Sequence, residues 1–121
     1  MAGYQDLKVW QLSIELVLQT YRVTQPFPRE ELFGLTSQMR RAAVSIPSNI
    51  AERHARKTPR EFSRFLNIAK GSLAELETQL VIARELHLCS ARIADEITVL
   101  TSQISRMLSG LLRRINEAAN D

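Results

Sequence analysis

The stretch SIPSNIAERHARKTPREF, Ser45 to Phe62, lies between two segments of strong helical periodicity. Its apolar spacing continues from Ile46 to Ile50 across Pro47. A helix is therefore expected to run through the proline with a kink, because the ring removes one N–H and presses on the carbonyl of Ala43. Ser45, Ser48 and Asn49 flank the proline, and short polar side chains satisfy the backbone groups that a kink frees. Asn49 is expected to be buried and hydrogen-bonded. Ten residues after Ser48 the chain reads Thr58-Pro59-Arg60-Glu61, a capping box with proline at the first helical position. The stretch is thus the end of one helix, a turn and the start of the next.

Working outward, each flank carries a long stripe. Upstream it is Leu32, Leu35, Met39, Ala42, Ala43, Ile46 and Ile50, opened by Arg29-Glu30-Glu31, whose acids suit a helix N-terminus. Downstream it is Phe62, Phe65/Leu66, Ala69, Leu73, Leu76, Leu80, Ala83 and Leu86. Ser90 can cap a further helix with Ile93, Ile97, Leu100, Ile104, Leu108, Leu111 and Ile115 inward. Before TQPFP, Leu7, Trp10, Ile14, Val17 and Tyr21 make a heptad stripe, with Val9, Leu12, Leu16 and Val23 as a second strip beside it. One neighbour cannot cover both strips, so Val9, Leu12 and Leu16 are assigned to a contact with another subunit. No strand-like alternation occurs. Helices at about 5–23, 29–56, 59–88 and 91–117 with short connections must run antiparallel. The expected fold is all-α: one domain over 1–121, an up-down-up-down four-helix bundle.

Anchoring the middle hairpin on its turn sets Ala43 opposite Gly71, Ala42 opposite Ser72 and Arg40 opposite Glu75. Gly71 then has a packing reason for its helix-interior cost, and Arg40, directly or through Arg41, is expected to meet Glu75.

The 121 residues are 45% hydrophobic and 24% charged, a globular composition. One cysteine, Cys89, excludes an internal disulfide and agrees with a reducing, cytoplasmic setting. No run approaches the ~18 apolar residues of a membrane span, and the first residues lack a signal-peptide pattern. A di-metal bundle needs Glu-x-x-His pairs, but Ala51 and Arg84 stand three residues before the only histidines, His54 and His87. No GxxxxGK[ST] or GxGxxG loop occurs. Glu75 and Glu77 point apart on a helix. Neither a cofactor nor catalysis is expected.

Net charge is +3, and all of the excess lies in residues 1–57, with 8 Lys/Arg against 5 Asp/Glu. Arg53, Arg56, Lys57, Arg60 and Arg64 cluster around the start of the third helix. Arginines there oppose the helix dipole, and exposed N–H groups at such a terminus favour anions. These five residues are the candidate nucleic-acid contacts, through backbone phosphates.

The segments DLKVWQLSIEL, FPREELFGLTSQMRRAAVSIPSNIAER and EFSRFLNIAKGSLAELETQL together resemble the four-helix bundle family of proteins encoded in intervening sequences of bacterial 23S ribosomal RNA genes. The resemblance runs from Asp6 to Leu86 and rests most on QMRRAAVSIPSNIAE, ending at Glu52, and AKGSLAELE. The family usually has glycine after NIAE, where this chain has Arg53. The resemblance implies a homopentameric barrel and a relation to accessory proteins of diversity-generating retroelements, which bind nucleic acid and a reverse transcriptase. Five chains at +3 would carry +15, a field that attracts RNA or DNA. Two readings follow: a non-catalytic oligomer that binds nucleic acid, or a protein-binding scaffold that does not.

Overall fold

The computed structural model describes residues 3–55 and 58–120. Among the described residues there are four α-helices: α1 (Lys8–Thr24), α2 (Leu35–Ala55), α3 (Pro59–Glu85) and α4 (Ala91–Asn120). Among the described residues there are no strands. Each helix packs on its sequence neighbour, α2 and α3 most extensively, and α4 closes against α1. The expected all-α four-helix arrangement is the observed one.

The caps behave as the sequence dictates. Thr58 Oγ1 accepts the Glu61 N–H at 3.2 Å, with Pro59 in the first turn. Ser90 Oγ accepts the Ile93 N–H at 3.1 Å. At the end of α3, His87 takes a left-handed conformation (φ 59°). Its N–H reaches Arg84 O, and the Leu88 N–H reaches Ala83 O, which fills two terminal carbonyls. α2 begins later than the spacing predicts. Arg29–Glu31 form a separate 3-10 turn, and Glu31 Oε1 accepts the Leu35 N–H at 3.3 Å. Leu32 is accordingly outside the core, as are Leu86 and Ile93 at the other turn.

The expected roles of the two α1 strips are exchanged. Val9, Leu12 and Leu16, assigned above to a subunit contact, are 3%, 8% and 0% exposed inside this chain's own core. Trp10, Ile14 and Val17 are only half-buried, and Tyr21 is 42% exposed. The inner strip is continuous once Ser13, Thr20 and Thr24 are included, all of them buried. Their hydroxyls donate to Trp10 O, Leu16 O and Thr20 O, each at 2.7 Å. A hydroxyl paired with its own helix is admissible in a core.

α2 stays helical through Pro47, which is buried. Ser48 Oγ donates to Val44 O at 2.8 Å, and Asn49 Nδ2 donates to Ser45 O at 2.7 Å. Asn49 is half-buried, not fully enclosed. Ser45 and Ser72 share a hydrogen bond of 2.7 Å between their hydroxyls. The turn-anchored pairing sets Ser45 level with Ala69, so the observed register is about three residues, or roughly 4.5 Å, further along.

Two further expected pairings are absent, because Arg40 faces α1 and Gly71 faces solvent. Arg40 does not pair with Glu75. Its Nε–H donates to Thr24 Oγ1 of α1 at 2.9 Å, and its guanidinium lies 4.5 Å over the Tyr21 ring. Arg41 is exposed. Glu75 instead accepts from Gln79 Nε2 at 3.3 Å, and Glu77 accepts from Thr101 Oγ1 at 2.9 Å. Gly71 is exposed, and a Cβ built on it meets nothing within 4 Å. Close helix approach does not explain this glycine.

Candidate nucleic-acid interface

The antiparallel order brings the start of α1, the end of α2, the start of α3 and the end of α4 to one end of the bundle. Arg53 sits in the last turn of α2 and Arg60 in the first turn of α3, with Arg64 one turn on. Arg56 and Lys57 of the expected cluster lie outside the described residues. Glu52 is exposed on the last turns of α2.

Arg53 is half-buried, with its guanidinium 5.0 Å over the Phe62 ring. Its Nε is buried without a hydrogen-bond partner. Burial pulls its pKa below the ordinary arginine value. A guanidinium stays charged under that pull, so part of its hydration has been given up without a countercharge. The Arg64 guanidinium lies 5.7 Å over the Phe65 ring. Aromatic faces thus hold two of the cations in place, and Phe62 and Phe65 are half-buried rather than free for base stacking. Arg60 is exposed.

The fold adds cations that a reading confined to one stretch misses. Lys8 opens α1, and Arg113 and Arg114 stand near the end of α4, all exposed. Among the described residues, none of Lys8, Arg53, Arg60, Arg64, Arg113 and Arg114 has an ion pair. The described ion pairs gather at the opposite end, around the α3–α4 turn. They join Arg84 to Glu85 and Asp95 at 3.8 and 3.7 Å, and Arg92 to Glu96 at 3.3 Å. The signal for the α4 arginines is their spacing from the helix end, legible only once the topology is fixed.

Among the described residues no group of three or more His, Cys, Asp or Glu side chains could hold a metal ion. Cys89 is a half-buried thiol pushed up by burial, with the Arg84 charge pulling the other way. No described helix is long and apolar enough to cross a membrane. What the site offers chemically is fixed positive charge.

The family described as 23S rRNA-intervening sequence protein matches residues 5–110 of the chain. No curated protein matches it.

Proposed function

The chain belongs to the 23S rRNA-intervening sequence protein family, a family of small helical proteins of unknown function, and we propose that it acts as a non-catalytic RNA-binding oligomer. The observation that carries this reading is the segregation of charge along the bundle. One end holds six described cations without ion pairs, while the described ion pairs sit at the other. Phosphates can meet these six cations without first displacing an ion-paired carboxylate from them, and the released counterions drive association. With no exposed aromatic platform in the cluster, recognition goes to the backbone and not to base identity.

Assembly is part of the proposal. With Val9, Leu12 and Leu16 consumed by the core, the outer strip of α1 is the face left for a second copy. Trp10, Ile14 and Val17 border an open apolar groove of about 300 Å³ with Val44 and Pro47 of α2. A ring built on this face would repeat the basic end around its rim; five copies, the number the resemblance implies, would carry +15. The cytoplasm is the matching location.

The test is a titration of single-stranded RNA at several salt concentrations, with wild type and an Arg53→Gln/Arg60→Gln/Arg64→Gln variant. Removing one phosphate-binding cation should flatten the log–log salt slope by about 0.7. An unchanged slope and affinity, in a variant that still folds and assembles, would overturn the reading in favour of a scaffold that docks protein through the apolar groove.

A further inference from the structure

One face of α4, exposed except at the half-buried Gly110, changes character along its length. Its residues recur at helical spacing: Asp95 and Glu96, then Val99, Gln103 and Arg106, then Gly110, and last Arg113 and Arg114. The first part is acidic around a valine that is 69% exposed. The last part is basic around a glycine. Between the basic part and the start of α1 runs an open groove of about 610 Å³, with Leu7, Met107 and Leu111 on its apolar side and Lys8, Arg106 and Arg114 on its charged side.

Gly110 has no reason within the chain. A Cβ there would meet only the flexible tip of Arg114, at 3.9 Å, so alanine would fit. Glycine in a helix interior costs about 1 kcal/mol relative to alanine. The surface it leaves is a recess beside an apolar groove.

We infer that this face binds a second copy of itself, with the two α4 helices antiparallel about a twofold axis between Ile104 and Ser105. In that register Val99 of each copy enters the recess at Gly110 of the other. Asp95 comes level with Arg114, Glu96 with Arg113, and Gln103 with Arg106. Every contact occurs twice, as a self-complementary patch requires. The second copy is the occupant because the face carries both halves of its own complement: acid and valine on one side of the axis, cations and recess on the other. A parallel copy would set like charges together. The intrachain contacts of Asp95 and Glu96, with Arg84 at 3.7 Å and Arg92 at 3.3 Å, are exposed and weakly held. They do not prevent either acid from reaching across.

The contact does not use the α1–α2 groove, and it engages Arg113 and Arg114 while leaving Lys8, Arg53, Arg60 and Arg64 of the basic end for phosphate. It pairs whatever particle that groove builds, so its loss halves the particle mass. The experiment is sedimentation equilibrium over a range of concentrations on wild type, Val99→Glu, Arg114→Glu, and Asp95→Arg/Arg114→Glu. All the altered side chains are exposed, and circular dichroism confirms that each variant folds. The expected result is half the wild-type mass for Val99→Glu and for Arg114→Glu, with the wild-type mass recovered in the double variant. Gly110→Leu, which fills the recess, should also halve the mass while leaving the melting temperature no lower than wild type at concentrations where the wild type is dissociated. A monomeric wild type, an unchanged mass in Val99→Glu, or a double variant no better than Arg114→Glu would each overturn the inference.

Discussion

Leu16 and Ile14 lie on the two competing strips of α1, and truncating each to alanine separates their roles. Both substitutions remove the same number of carbons, worth roughly 2.4 kcal/mol of transfer free energy at ~0.8 per carbon. Leu16 is fully enclosed, so the whole of that term is lost and a cavity is added. A cost of about 3 kcal/mol is expected, within the 2–5 range for such sites. Ile14 is half-buried, and water can follow the truncation, so about 1 kcal/mol is expected. At roughly 4 °C per kcal/mol for a chain of this size, the melting temperature should fall by about 12 °C in Leu16→Ala and about 4 °C in Ile14→Ala. Urea unfolding followed by circular dichroism measures both, and is run at several protein concentrations to separate folding from association. The Leu16 deficit should be the same at every concentration, whereas the Ile14 deficit should grow as concentration rises and the wild type assembles. Equal costs, or a larger cost at Ile14, would mean that the outer strip is the core strip and would refute the exchange.

Three further outcomes follow from local geometry. Gly71→Ala adds a methyl to open space on an exposed helix interior and should stabilise by about 1 kcal/mol in the same urea assay. His87→Gly removes a side chain from a left-handed position and should stabilise by roughly 0.5–1 kcal/mol, with both terminal carbonyl bonds kept. Because burial raises the Cys89 thiol, its alkylation at pH 8 by a neutral reagent should be slower than that of a free thiol, and should speed up as pH rises.

Period and punctuation make the four helices legible. Thr58-Pro59 and Ser90 mark starts that the structure reproduces to the residue, because a side-chain oxygen can satisfy a terminal N–H by local chemistry alone. The inner strip of α1 escapes a hydropathy reading for an equally physical reason. Ser13, Thr20 and Thr24 interrupt it on any hydropathy scale, yet each returns its proton to a carbonyl of its own helix and enters the core at little cost. Register is illegible beyond the turn. Counting back from the turn does not fix where Ser45 lies against α3, which is beside Ser72. It also does not fix which face of α2 Arg40 is on, and Arg40 reaches Tyr21 and Thr24 of α1 instead of α3. For the basic end, the sequence cluster supplies Arg53, Arg60 and Arg64. Lys8, Arg113 and Arg114 need the topology.

Helix dipoles sharpen what that end implies. In an antiparallel bundle the end holds two N-termini and two C-termini, so the backbone contributions largely cancel. Any net field there comes from side chains. Three of the six described cations lie in terminal turns. Arg53 follows the dipole of its helix, at the end of α2, while Arg64, Arg113 and Arg114 lie beyond the turns where the dipole acts. Lys8 and Arg60 oppose theirs, in the first turns of α1 and α3, each at a cost of about 0.3–1 kcal/mol. The dipole term alone therefore favours losing Lys8 and Arg60 and keeping Arg53. The Lys8→Gln/Arg60→Gln variant should unfold at higher urea, by roughly 0.6–2 kcal/mol in total, and should bind RNA more weakly with a flatter salt slope. The two effects have opposite signs, and a solvated helix end predicts only the first. If the variant gains stability and its RNA titration is unchanged, these two cations have no phosphate to hold. If it loses stability, Lys8 and Arg60 are held by contacts within the fold, and the dipole does not set their cost.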